Sequence, residues 1–133
     1  MCLVTNSFEP FIAKEKIPVY KVIDIDGFPP YFGINVLGEQ TYRYKPGLNT
    51  ANGPVKVEGS YFGNRFCVSR GYLHAYIAYG RARAFIKENH ASDHKRTFRV
   101  IKMYVPKGAK FYVDEECGEI CSSELFWDKN DQF

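Results

Sequence analysis

Helical periodicity occurs once in this chain. Between Ile77 and Asn89 the apolar residues Ala78, Ala82, Phe85 and Ile86 recur at near-helical spacing, with Arg81, Arg83, Lys87 and Glu88 mostly turned away from them. Gly80 weakens that helix by about 1 kcal/mol relative to Ala. The remaining order is β-like. Ile17 to Ile25 reads as a strand, with Val19, Lys21 and Ile23 on one face and Tyr20, Val22 and Asp24 on the other. Residues 26–30 break it as a turn. Further strands are expected at 31–36, 41–45, 55–57, 60–68, 98–105, 110–114 and 119–127. Loops are expected at 46–54 and 90–97, and 1–16 reads as an N-terminal arm. With 133 residues, 17% of them aromatic, one core can form and strands are favoured. The expected fold is α+β: a single domain over 1–133, a mostly antiparallel sheet with 17–25 and 98–105 in its interior, and one main helix packed on it. Residues 114–133 form an acidic C-terminal segment.

Charge is sorted along the chain. Residues 41–110 carry 14 Lys or Arg against Glu58, Glu88 and Asp93, a local net of +11. The first 40 residues net −2 and the last 23 net −6, leaving +3 for the whole. The basic block also holds 11 aromatic residues. Cations attract phosphate and rings offer a face to a base, so a small phosphorylated, nucleotide-like ligand is the first expectation. The same pattern arises where aromatics fill a core and cations solvate its outside.

Arg43, Lys45, Arg65, Arg70 and Arg81 are the candidate phosphate partners. Tyr44, Tyr72 and Tyr76 are the candidate stacking faces, with His74 at a strand–helix junction where free N–H groups favour anions. Arg81 and Arg83 point to different sides of the helix, so both cannot grip one phosphate. Gly59-Ser60-Tyr61-Phe62-Gly63-Asn64-Arg65 lacks the Lys-Ser/Thr of a P-loop, and G-x-G-x-x-G is missing, so a common nucleotide-binding motif is excluded.

No apolar run approaches the ~20 residues that a membrane span needs. The start has no charged-then-apolar signal pattern, so the four cysteines read as reduced thiols in a cytoplasm. His90-x3-His94 and Cys117-x3-Cys121 have metal-compatible spacing, but residues four apart in a strand lie about 13 Å apart, so one pair would have to turn. The expectation is no metal and no cofactor. Cys2, exposed by removal of Met1, would pair a thiol with an α-amine as an N-terminal nucleophile, although Leu3 stands where such amidotransferases carry Gly.

Met1-Cys2-Leu3, Tyr20-Lys21, Gly71-Tyr72-Leu73-His74-Ala75-Tyr76, Pro106-Lys107-Gly108-Ala109-Lys110-Phe111-Tyr112 and Ser122-Ser123 together resemble a family of small proteins of phages and gut bacteria. The order of elements is also loosely similar to the ADP-ribosyltransferase-like fold, whose late glutamate would correspond to Glu119 or Glu124. The first resemblance implies a viral anti-defence protein that sequesters a nucleotide immune signal in the host cytoplasm. The second implies an enzyme acting on a nucleotide.

Three classes of function therefore stay open. One is a binder of a small anionic nucleotide without turnover, favoured because the basic block shows no acid–base pair. The second is an enzyme working through Glu119, Glu124 or Cys2. The third is a nucleic-acid or protein-binding module, whose acidic segment 114–131 shields the basic middle or contacts a neighbouring subunit in a homo-oligomer. A net charge of only +3 and no RNA-binding phrase weigh against nucleic acid.

Overall fold

The central strands form where β-branched and aromatic residues alternate most regularly. In the computed structural model, which describes residues 3–29, 42–51, 54–61, 65–89 and 97–130, eleven strands and one helix are assigned among those residues. In chain order they are β1 (Leu3–Thr5), β2 (Phe11–Ile12), β3 (Ile17–Asp24), β4 (Gly47–Thr50), β5 (Lys56–Tyr61), β6 (Arg65–Arg70) and β7 (Leu73–Tyr76). Helix α1 (Tyr79–Asn89), β8 (Phe98–Val105), β9 (Lys110–Asp114), β10 (Glu119–Ser122) and β11 (Glu124–Trp127) follow.

Eight strands form one antiparallel sheet in the order β2-β9-β10-β7-β3-β8-β11-β4, and β1-β6-β5 form a second. β3 and β8 pair along their whole length, from Ile17 opposite Val105 to Asp24 opposite Phe98. The α+β expectation holds at this level, with a short helix and both long strands in the sheet interior.

Alternation sends side chains to two faces. On one, Val19, Ile23, Leu73, Ala75, Ile101, Met103, Val105, Ile120 and Leu125 pack with Tyr44 and Trp127. On the other, Val22 and Tyr76 pack against Ala82, with Phe85 and Ile86 of α1 beside them. The smaller sheet lies over β9 and β10 on this second face, where Leu3 and Val68 meet Tyr72, Tyr112 and Cys121.

Several boundaries differ from the sequence-based expectation. The arm contains β1 and β2, because Leu3 is buried opposite Val68 and Phe11 pairs with Phe111. Residues 42–45 are irregular, and the strand forms at 47–50 instead, within an expected loop. Pro46 supplies no N–H, and the buried Asn49 side chain does the work of a ladder: its Oδ1 accepts from Lys45 N–H, while its Nδ2 donates to the carbonyls of Lys45, Gly47 and Leu125. Residues 73–76 extend as β7 before the helix begins at Tyr79. The stretch 119–127 divides at Ser123, whose N–H donates to Lys110 O. The strand expected at 31–36, and residues 90–96 of the loop expected at 90–97, lie outside the described residues.

The cysteine expectation is corrected too. Cys67 is disulfide-bonded, whereas Cys117 and Cys121 are thiols. Among the described residues no helix is long and apolar enough to cross a membrane.

Candidate functional site

The end of β3 builds one wall of a basic concavity. Asp24 turns its carboxylate inward, where Oδ1 accepts the N–H groups of Asp26 and Phe28, both at 2.9 Å. That caps the turn and lets Gly27, at φ +92, approach residue 44: Tyr44 N–H donates to Gly27 O at 2.8 Å. Arg43 is tied to the same turn, its Nε donating to Asp26 O at 2.8 Å. Arg99 reaches in from β8, its guanidinium carbon 5.7 Å from the centre of the Trp127 ring.

The result is a cavity of about 300 Å³ lined by Ile25, Asp26, Gly27, Arg43, Tyr44, Lys45, Pro46, Arg99 and Trp127. Three cations and one carboxylate border it. Its volume sits at the small end of ligand-sized pockets. Chemically it offers charge-assisted donors for an anion beside the edge of an indole.

The nine residues singled out by the sequence fall in separate places. Arg43, Tyr44 and Lys45 meet at this concavity, with Arg43 and Lys45 exposed. Tyr44 is 2% exposed, so it forms the floor and has no open face for a base. Its ring lies 4.9 Å from Nζ of Lys21, a buried lysine that donates to His74 O at 2.6 Å.

Arg65 borders a different cavity, of about 280 Å³, with Asn6, Ser7, Glu115 and Glu116. Its Nη1 lies 3.4 Å from Glu116 Oε2, and its Nε is buried with no partner among the described residues. Two carboxylates make that cavity a poor anion site. Arg70 is placed as a backbone position opposite Lys56. Tyr72 packs against Tyr112 at 5.9 Å between ring centres, and burial pushes its hydroxyl pKa up. Tyr76 lies beneath α1 with Ala82 and Phe85. Both rings serve the core, because strands covered on this face have no open surface to lend. The sequence did not single out Arg99 and Trp127, although their strands were expected; β-alternation shows which residues share a face, not which strand ends converge.

His74, Tyr76 and Arg81 gather around a second constellation, at the hairpin joining β9 and β10. His74 Nε2 is 3.1 Å from Glu119 Oε1, and its ring meets Tyr76 edge-on at 5.1 Å. Arg81 packs over Gly118, close enough that a Cβ there would meet its Cγ at 3.3 Å. Asp114 Oδ1 accepts Cys117 N–H at 3.2 Å. Desolvation, followed by Asp114 and Glu119, pushes the Cys117 thiol pKa up, with Arg81 opposing. A thiol so held is protonated at neutral pH and a poor nucleophile.

Ligand atoms of Asp114, Cys117 and Glu119 all lie within 4.8 Å of one another, so these residues could hold a metal. The His-Cys quartet weighed from spacing differs from this set. His90 and His94 lie outside the described residues, and Cys121 points into the core beside Tyr72 and Tyr112 while Cys117 is in the exposed turn.

Comparison of the chain with protein-family models, with curated proteins and with solved structures finds no match.

Proposed function

We propose that this chain binds a small anionic, nucleotide-like molecule and releases it unchanged. Arg43, Lys45 and Arg99 hold the phosphate, and Trp127, largely buried but lining the cavity, flanks the rest. One observation carries the reading: cations from separate segments of the chain converge on a single ligand-sized cavity beside an indole. Asp26 on the rim provides a carboxylate for a sugar hydroxyl or base amine. Capture of a nucleotide signal in a phage-infected cell is the biological setting that fits.

Calorimetry against NAD, ADP-ribose derivatives, cyclic dinucleotides and inorganic phosphate tests this. Each true phosphate contact contributes about 1.5–3 kcal/mol, so Arg99→Ala or Lys45→Ala should weaken binding roughly 10- to 150-fold. Both side chains end at the cavity, so the fold should survive. Ligand recovered intact after heat release supports binding without turnover. No heat with any probe, or equal affinity for wild type and both variants, defeats the proposal.

A second reading rests on Glu119, whose carboxylate is held by His74 at 3.1 Å. That pair could serve an enzyme acting on a nucleotide. Recovery of a cleaved product, with cleavage abolished in Glu119→Gln, would favour it.

A further inference from the structure

The hairpin Asp114-Glu115-Glu116-Cys117-Gly118-Glu119 joins two strands whose register sets Asp114 directly opposite Glu119. Residues paired across a ladder project from the same face, so both carboxylates stand on one side of the sheet. Cys117, in the turn between them, adds its sulfur to the same side, and all three donor atoms lie within 4.8 Å of one another. A third strand contributes independently. β7 pairs with β10, and its His74, only 6% exposed, directs Nε2 to Glu119 Oε1 at 3.1 Å.

We propose that Asp114, Cys117 and Glu119 ligate a borderline divalent cation of the zinc type, with His74 orienting Glu119 as a positioning residue. The donor set decides the class. Calcium and magnesium take oxygen ligands only, and cuprous ions prefer sulfur, whereas two carboxylates with a thiolate suit zinc or cobalt. Bonds of about 2.0–2.3 Å place tetrahedral ligand atoms about 3.3–3.6 Å apart, so only a small inward movement closes the site. A buried imidazole hydrogen-bonded to a ligating carboxylate is the kind of outer partner that holds a metal ligand in orientation. Three ligands leave a position open for water or an added molecule. The site is independent of the anion-binding cavity. It faces the side of the large sheet that carries Tyr76 and α1, whereas the cavity opens beside Arg99 and Trp127 on the other.

Arg81 gives the test its sharpest arm. Its side chain lies over Gly118, so an incoming dication meets a like charge. If Arg81 is merely the structural counter-ion of the hairpin, removing it should lower stability and have no bearing on metal.

The experiment titrates the full chain with Co²⁺ and then displaces it with Zn²⁺, following the thiolate-to-cobalt absorption in the near ultraviolet. The expected result is that band saturating at one Co²⁺ per chain, and its loss in Cys117→Ser, a substitution in an exposed turn that leaves circular dichroism unchanged. His74→Gln should weaken Zn²⁺ about 10- to 100-fold. Arg81→Ala should tighten it. A missing thiolate band at one equivalent, a band that persists in Cys117→Ser, or unchanged affinity in Arg81→Ala overturns the proposal. Should His74→Gln unfold, the cysteine and arginine variants still decide.

Discussion

Tyr112 is 1% exposed, and its hydroxyl donates to the carbonyl of Phe8 at 2.8 Å. Burial first, then Tyr72, Glu9 and Cys121, push its pKa from 10.0 up to about 12. The fold therefore favours the neutral phenol. Its contribution is complete below pH 10, declines as pH rises toward about 12, and is absent beyond that. The difference corresponds to about 3 kcal/mol at most. Tyr112→Phe should cost about 1 kcal/mol at pH 7 for the lost hydrogen bond, since the exposed Phe8 segment lets water replace the donor. The same variant should be less sensitive to alkali than wild type. Urea unfolding at pH 7 and pH 11 measures both effects, and an unchanged difference between the two pH values would rule out Tyr112 as the titrating group. Tyr42 and Tyr72, also raised by burial, leave a residual slope. None of this is legible in the sequence, where Tyr112 is one of ten tyrosines. What separates it is packing between two sheets, and a strand pattern does not say which strands stack.

Two glycines at the borders of β7 and α1 are sensitive in opposite directions. Gly71 has φ +111, and a Cβ there would lie 2.4 Å from Val55 Cα and 2.5 Å from Pro54 O. Backbone of the smaller sheet's approach thus occupies the space that any other residue needs. Gly71→Ala should destabilise by several kcal/mol through positive φ and overlap combined, or prevent folding. Gly80, in the first turn of α1, has open space around it and no left-handed backbone. Gly80→Ala should stabilise by about 0.4–1 kcal/mol, chiefly by restricting the unfolded chain. Thermal melting of the pair checks both, and the assignment of α1 fails if Gly80→Ala lowers the melting temperature. Elements with strong periodicity were readable: β3, β8 and the body of α1 stand where alternation and helical spacing put them. β4 was not, because Gly-Leu-Asn-Thr has weak strand propensity and gains its order from Asn49, a long-range partner of Leu125. β7 was hidden for a related reason. Leu73-His74-Ala75-Tyr76 is buried on both faces, so it shows no alternation to read.

At the scale of the whole molecule, the concentration of positive charge between residues 41 and 110 anticipated where cations would gather but not how they would divide. Arg43, Lys45 and Arg99 reach one cavity, while Arg65 is answered by Glu116 and Arg81 lies at the β9–β10 hairpin. The partition follows strand order, since β8 stands between β3 and β11 and brings Arg99 to Trp127, whereas β6 lies in the other sheet. A net charge of +3 is too small to draw anions to the protein as a whole, so any affinity must come from the local cations. That makes salt a discriminating variable. The Debye length shrinks from about 10 Å at 0.1 M to about 3 Å at 1 M, which screens exposed Arg43 and Lys45 strongly and an apolar contact with Trp127 hardly at all. If phosphate recognition dominates, affinity for a nucleotide should fall at least about tenfold between 0.05 and 0.5 M salt, and more steeply for a di- or triphosphate than for a monophosphate. Arg99→Ala should flatten the dependence as well as weaken binding, because one of the screened charges has gone. Calorimetry across a salt series gives each slope. Affinity that is flat in salt, or equal for a nucleoside and its phosphate, would assign recognition to the indole edge and strip the three cations of their proposed role.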